Sequence, residues 1–77
     1  MIAFLGLGSN IGNRFFNLLN VLIRIENIGI EIKIASPIYE TTPMYNLDQD
    51  NFYNQVLKIN TNFNPDQLLK KIKQIEL

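Results

Sequence analysis

The chain has no cysteine and no histidine among its 77 residues, and these two absences exclude several kinds of site. Without cysteine it can form neither a disulfide framework nor a thiolate metal site. Without histidine it lacks the most common general base and metal ligand, which rules out Ser/His/Asp and Cys/His catalytic sets and the usual zinc sites. The available chemistry is therefore that of carboxylate, amide, hydroxyl, cationic and aromatic groups.

The chain also lacks an excess of charge and a long apolar run. Seven basic and seven acidic residues give a formal net charge of zero, which argues against nucleic acid or an anionic membrane as a partner, because both are bound through basic surfaces. No apolar run approaches the roughly 18 residues of a membrane span, and the first residues lack the charged segment of a signal peptide. The sequence therefore predicts a soluble, cytoplasmic protein.

Three segments are predicted to be strands. Ile2 to Leu7 is a short apolar run ended by Gly6 and Gly8, which is typical of a buried strand. Gln55 to Asn60 has a similar character, and Leu57 and Ile59 are its expected core residues. Ile30 to Ile34 alternates isoleucine with charged residues, which predicts a half-buried strand with all three isoleucines on its core face.

Two further segments have the period of amphipathic helices. The first begins at Arg14 and is expected to end at Gly29; its predicted inner face consists of Phe15, Leu18, Leu19, Leu22 and Ile25. In the second, Asn64 suits the N-cap, proline follows at the first helical position, and Gln67 suits the capping-box position. Its predicted inner face consists of Leu68, Leu69, Ile72 and Ile75.

The predicted order of elements is strand, helix, strand, strand, helix. This is the order of a ferredoxin-like α+β sandwich with its final strand missing, and we expect an antiparallel sheet with both helices on one face. A chain of 77 residues is close to the lower limit for independent folding. We therefore expect residues 1–77 to be the N-terminal part of a single domain, with an open sheet edge that could recruit another chain.

The segment from Tyr39 to Asn54 is the main functional candidate. It follows a Ser-Pro pair that should end the second strand, and it keeps neither the strand nor the helix period. Long connections are usually functional or disordered, and disordered segments are poor in aromatic residues, whereas this one contains Tyr39, Met44, Tyr45, Phe52 and Tyr53. Aromatic faces beside threonine hydroxyls and an asparagine amide suit a flat ring with polar edges, so we predict one rigid wall of a small-molecule pocket.

Three shorter motifs each have two interpretations. The glycines between Gly6 and Gly12 lie at a strand-to-helix turn, where phosphate loops occur, but their spacing misses the dinucleotide fingerprint by one residue and a tight turn is favoured. Asp48 and Asp50 could face one Mg²⁺ ion, although solvated turn chemistry is more common in such a loop. Lys70, Lys71 and Lys73, near the end of the second helix, could bind a phosphate, but a solvated helix face is the favoured interpretation.

Three stretches change this interpretation when they are taken together: Phe4-Leu-Gly-Leu-Gly-Ser-Asn-Ile-Gly-Asn13, Ser36-Pro-Ile-Tyr-Glu-Thr-Thr-Pro-Met44 with Phe52-Tyr-Asn54 following it, and Lys73-Gln-Ile-Glu76. In this order and spacing they resemble the 6-hydroxymethyl-7,8-dihydropterin pyrophosphokinases of folate synthesis. The resemblance implies a ferredoxin-like α+β fold and transfer of pyrophosphate from Mg·ATP to the hydroxymethyl group of the pterin.

The resemblance also implies a pterin site, in agreement with the independent interpretation of the loop. Carried over position by position, its residues would be Gly8 beneath the ring and, around it, Thr41, Thr42, Met44, Phe52 and Asn54. Glu76 matches a family residue near ATP. Lys73 stands where the family has a glutamine, and Tyr45 stands where it usually has a glycine.

The family's metal-binding Asp-x-Asp pair and its arginine-rich segment have no counterpart in the 77 residues. ATP and Mg²⁺ are therefore expected to serve the complete enzyme, no metal ligand is expected here, and we expect the isolated chain to be inactive. Such an N-terminal portion could pair with a complementary C-terminal fragment or with a second copy of itself. The alternative is a non-catalytic ferredoxin-like module that binds a different ligand or pairs with another chain through its open edge.

Overall fold

The computed structural model describes residues 1–44, 48 and 50–75. Within them the chain forms four strands and two helices. Their order is β1 (Ile2–Ser9), α1 (Arg14–Asn27), β2 (Glu31–Ala35), β3 (Tyr39–Thr41), β4 (Phe52–Asn60) and α2 (Pro65–Ile75). The architecture agrees with the expected α+β, ferredoxin-like arrangement of an antiparallel sheet with a partial set of strands.

Strand β4 is the centre of the sheet. Along one side it pairs antiparallel with β1 over the whole length of that strand, from Ile2 opposite Asn60 to Ser9 opposite Tyr53. Along its other side it pairs antiparallel first with β2 and then with β3, which lie one after the other. The described strands leave the outer side of β1 without a neighbour, and likewise the outer sides of β2 and β3.

The hydrophobic core lies between one face of the sheet and the two helices. Its buried residues come from α1, β4, α2 and the residue before β2, and they are Ile25, Ile30, Leu57, Ile59, Leu68 and Ile75. Leu57 and Ile59 have no exposed surface, which confirms their predicted place on the core face of the third strand-like segment. Alternation along β1 turns Ala3, Leu5 and Leu7 toward the same core.

A β-bulge in β2 makes one prediction wrong. Ile32 is paired with Ile59, but Ile34 is paired with Lys58, so that Lys33 is an extra residue in this strand. A bulge of this kind reverses the alternation of side chains beyond it. Ile30 is buried, as expected, whereas Ile34 is 61% exposed and lies on the opposite face of the sheet.

The predicted loop from Tyr39 to Asn54 is shorter than expected, because both of its ends are strands. Tyr39–Thr41 forms β3 and pairs with the first residues of β4. As predicted, β2 ends at the Ser-Pro pair. Ser36 nevertheless stays hydrogen-bonded to β4: its backbone N–H donates to the Val56 carbonyl at 2.9 Å, and its hydroxyl accepts from the Val56 N–H at 2.9 Å. Strand structure therefore extends into both ends of the predicted loop, as far as Thr41 on one side and from Phe52 on the other.

The predicted capping residues stand at the end of α1 and at the start of α2, whereas the cap at the start of α1, Asn13, was not predicted. The side chain of Asn13 accepts from the Phe16 N–H at 3.0 Å at the start of α1, and Gly29 has φ +89° just after its end. Asn64 and Gln67 form a reciprocal capping box at the start of α2, with distances of 2.8 and 3.0 Å.

The predicted inner faces of the helices are only partly correct. Leu18 and Ile25 of α1 and Leu68 and Ile75 of α2 are buried. Phe15, Leu19 and Leu69 are exposed instead. The small sheet covers a narrower stripe of each helix than the full apolar arc of the sequence, so the residues at the margins of that arc remain in solvent.

No helix in the described part of the chain is both long and apolar enough to cross a membrane.

Candidate functional site

Four of the predicted site residues lie together on the sheet face opposite the core. Gly8 of β1 is directly opposite Asn54 of β4, and Thr41 of β3 is directly opposite Phe52 of β4. Because paired residues share a face, and residues two apart on a strand share it as well, all four face the same side at one end of the sheet. The strand pairing of β3, which the sequence did not reveal, brings Thr41 into this group.

The amide of Asn54 is held in one orientation. Its Nδ2 donates to Thr41 Oγ1 at 2.7 Å and lies 3.5 Å from the Phe52 carbonyl oxygen. Its Oδ1 lies above Gly8, where a Cβ on that glycine would be only 3.2 Å away. An amide fixed in this way can offer its carbonyl oxygen as an acceptor and an N–H as a donor to the edge of a planar ligand.

Gly8 provides an open floor between these side chains. A Cβ at this position would also come within 3.7 Å of the Phe52 ring. Gly8 therefore allows both Asn54 and Phe52 to lie close to the backbone of β1, and this close approach favours glycine because an added Cβ would displace Asn54 Oδ1 by a few tenths of an ångström. The aromatic face of Phe52, which is half-buried, can stack on a flat heterocycle.

A cleft of about 470 Å³ adjoins this group. Phe52 lies in its wall together with the turn after β1 and the acidic part of the loop, and the lining residues are Asn10, Ile11, Gly12, Asp48, Asp50 and Phe52. Gly12 has φ +64°, so the tight-turn interpretation of the glycine motif is correct at that position. The described residues contain no group of three or more acidic side chains placed to hold a metal ion.

The other predicted site residues are more dispersed. Thr42 and Met44 follow β3 directly and are exposed, Met44 by 82%. Lys73 is exposed in the last turn of α2, which packs on the core face of the sheet, so the structure does not bring it to the group around Asn54. Glu76 lies outside the described residues.

A second cavity, of about 570 Å³, was not anticipated from the sequence. It runs along β1 below the two helices and is lined both by apolar core residues, including Leu18, Ile72 and Ile75, and by polar residues of α1, including Asn17 and Arg24. This groove opens beside β1, whose outer side has no neighbour among the described strands.

Arg14 is the residue near the site that sequence reasoning missed, because its place on the polar face of α1 suggested a solvated side chain. Its Nη1 donates to the Asn51 carbonyl at 2.6 Å and lies 4.0 Å from Glu40 Oε2. Its guanidinium carbon lies 4.0 Å from the centre of the Tyr53 ring. The sequence contained one signal of this role: a cation in the first turn of a helix is unfavourable, because the helix dipole makes that end positive.

Comparisons with known proteins agree with these observations. A family model described as 7,8-dihydro-6-hydroxymethylpterin-pyrophosphokinase matches residues 4–77. A folic acid synthesis protein of Dictyostelium discoideum is 45% identical over 75 residues, which cover 97% of this chain and 11% of that protein.

Two bacterial relatives are named 2-amino-4-hydroxy-6-hydroxymethyldihydropteridine pyrophosphokinase. The protein of Aquifex aeolicus is 41% identical over 74 residues, which cover 96% of this chain and 46% of the relative. The protein of Bacillus subtilis is 38% identical over 76 residues, which cover 97% and 46%. The chain thus spans about half the length of these bacterial relatives and about a tenth of the length of the Dictyostelium protein.

Proposed function

Because this chain belongs to the 7,8-dihydro-6-hydroxymethylpterin-pyrophosphokinase family, we propose that it carries the pterin-binding half of an enzyme of folate synthesis. The complete enzyme transfers pyrophosphate from ATP to 6-hydroxymethyl-7,8-dihydropterin. The proposal is supported by the names of the bacterial relatives and by the site residues that converge on one end of the sheet.

The single observation that carries the proposal is the arrangement of Asn54. Its amide is held by Thr41 at 2.7 Å, above Gly8 and beside Phe52. A pterin has a flat ring with alternating hydrogen-bond donors and acceptors at its edge. We propose that the ring lies against Phe52 and over Gly8, with the Asn54 amide both donating to its edge and accepting from it. Thr42 and Met44 would close the side of the site that follows β3.

ATP and Mg²⁺ are proposed as cosubstrate and cofactor of the complete enzyme. Phosphoryl transfer depends mainly on positioning and on neutralising phosphate charge with metal ions and cationic side chains. The described residues contain no metal-binding cluster, and Lys73 and Glu76 are the positions of this chain that we propose lie near the nucleotide. We propose that the charge-neutralising groups belong to another part of the complete enzyme.

Pterin binding is tested by fluorescence titration of the 77-residue chain with 6-hydroxymethylpterin. We expect saturable binding, and we expect Asn54→Ala to weaken it about tenfold or more, since loss of a hydrogen bond to a buried ligand edge costs about 1–3 kcal/mol. Asn60→Ala is the matched control, because it removes the same side chain from the other end of the same strand face. Equal affinities for the Asn54 and Asn60 variants, or no binding by the parent chain, would contradict the proposed site.

Catalysis is tested separately. The pure 77-residue chain, given Mg·ATP and the dihydropterin, is expected to form no AMP above the rate of a blank without protein. Addition of a polypeptide that covers the remaining half of the Bacillus subtilis relative is the complementary experiment. Turnover by the isolated chain would show that the chain carries its own phosphate-binding groups.

The alternative function is a non-catalytic module that pairs with another chain, and the open side of β1 favours it. The edge runs beside the 570 Å³ groove, and the sheet face away from the core carries exposed apolar side chains, namely Ile2, Phe4, Ile34, Tyr39 and Val56. An unpaired edge is a template for a further strand. Size-exclusion chromatography of the chain alone, and of its mixture with the complementary half, distinguishes self-association from pairing with that half. A pairing module without the proposed enzymatic role should show no pterin binding in the titration above.

A further inference from the structure

Arg14 occupies an unfavourable position for a cation. It is the first residue of α1, where the helix dipole favours negative charge, and the first turn of this helix contains no acidic residue. The cap of the helix is already formed by Asn13, whose side chain accepts from the Phe16 N–H. Arg14 is therefore not needed to start the helix, and its placement calls for a different explanation.

The contacts of Arg14 supply one, since they join three separate parts of the chain. Its Nη1 donates to the Asn51 carbonyl at 2.6 Å, just before β4 begins, and lies 4.0 Å from Glu40 Oε2 in β3. The side-chain amide of Asn51 in turn donates to the same Glu40 oxygen at 3.0 Å. The guanidinium also lies over the ring of Tyr53 in β4, an attractive geometry between a cation and an aromatic face.

These partners lie directly behind the proposed pterin site. Glu40 and Tyr53 are opposite each other in the β3–β4 pair, and each is next in sequence to a residue of the site: Thr41 follows Glu40, and Tyr53 stands between Phe52 and Asn54. Because neighbouring residues of a strand face opposite sides, Arg14 holds the back of the two strands whose front carries the site. It also contacts Asn51, the residue just before β4 begins.

We propose that Arg14 is a positioning residue for the pterin site: it fastens the ends of β3 and β4 to the start of α1 and so keeps Thr41, Phe52 and Asn54 in their binding arrangement. This inference rests on the proposed function for its effect on pterin binding. The structural part of it, that Arg14 fastens the two strands, holds independently of the ligand.

The test compares Arg14→Met with Arg24→Met in the 77-residue chain. Arg24 is the matched control, because it is an arginine of the same helix whose recorded hydrogen bond is to the Ile75 carbonyl, away from the loop. Two readouts are used: the dissociation constant for 6-hydroxymethylpterin, and the NMR shifts of the four backbone amides from Asn51 to Asn54.

We expect Arg14→Met to raise the dissociation constant about fivefold to tenfold, since affinity falls in proportion to the fraction of molecules in the competent arrangement. The four amide shifts should change in this variant and stay unchanged in Arg24→Met. Arg14→Lys should fall between the two, because lysine can still donate to the Asn51 carbonyl but lacks the flat guanidinium that lies on Tyr53. Glu40→Gln should weaken binding less than Arg14→Met does. Added to Arg14→Met, it should have a smaller effect than it has alone, because only its contact with the Asn51 amide remains to be weakened. The Glu40 side chain is half-exposed, so this substitution is expected to leave the fold intact.

Several outcomes would overturn the inference: unchanged affinity and unchanged amide shifts in Arg14→Met, an equal loss in Arg24→Met, or full additivity of the Arg14 and Glu40 substitutions. If the parent chain does not bind the pterin, the proposed function fails, and the amide shifts alone decide whether Arg14 fastens the strands. Should Arg14→Met fail to fold, Glu40→Gln and Arg14→Lys carry the same comparison.

Discussion

Leu57→Ala is expected to lower the melting temperature of the chain by roughly 10–20 °C, because truncation of a fully buried leucine costs about 3 kcal/mol. Leu57 has no exposed surface and lies in the central strand, opposite Leu5 of β1. The total stability of a chain of this size is roughly 4–12 kcal/mol. One such substitution therefore removes a large part of it.

Leu69→Ala is the matched control for this experiment. The residue type and the change are the same, but Leu69 is 55% exposed on α2, and exposed substitutions of this kind change stability by about 0.5 kcal/mol or less. Thermal unfolding followed by circular dichroism measures both variants. Equal melting temperatures for the two would show that β4 does not form the core described here.

Gly8→Ala is expected to weaken pterin binding about tenfold, which corresponds to about 1.4 kcal/mol, while the fold is retained. The added Cβ would lie 3.2 Å from Asn54 Oδ1. Asn54 Oδ1 would have to move by a few tenths of an ångström, and this disturbs the orientation that the 2.7 Å hydrogen bond to Thr41 gives the amide, which we propose contacts the ring edge. The measurement is the same fluorescence titration, accompanied by a melting curve.

Gly6→Ala provides the control for this prediction. Gly6 lies two residues away on the same face of the same strand, and a Cβ there would meet nothing within 4 Å. Its substitution should leave the affinity unchanged and raise stability by about 0.5 kcal/mol, because alanine in a strand loses less conformational entropy on folding than glycine. Parallel losses of binding in both variants would mean that β1 as a whole is sensitive and that Gly8 has no specific role.

The sequence was informative where one local rule decided the structure. The caps at Asn64 and Gln67 and the glycine after α1 act within a few residues of themselves, so these helix boundaries could be predicted. The core positions Leu57 and Ile59 followed from alternation within one strand. Each of these features depends on neighbours that the sequence shows directly.

Prediction failed where a distant strand decided the structure. The bulge at Lys33 arises from pairing with β4 and reverses the side on which Ile34 lies, although the local pattern of Ile30 to Ile34 gives no sign of it. Three residues, Tyr39–Thr41, are too few to show a period, and they become a strand through their partners in β4. The contacts of Arg14 depend on this same pairing, which explains why they were missed.

The position of β4 at the centre of the sheet has a consequence for the order of events during synthesis. Every strand pairing recorded in the described sheet includes β4, and β1 reaches its partner only across most of the chain, as Ile2 lies opposite Asn60. In a nascent polypeptide that has not yet emerged from the ribosome past residue 60, β1 therefore lacks the complete β4 strand with which it pairs. Long-range pairing of this kind slows folding and prolongs the exposure of apolar segments, so we expect this chain to gain most from chaperones while it is still attached to the ribosome.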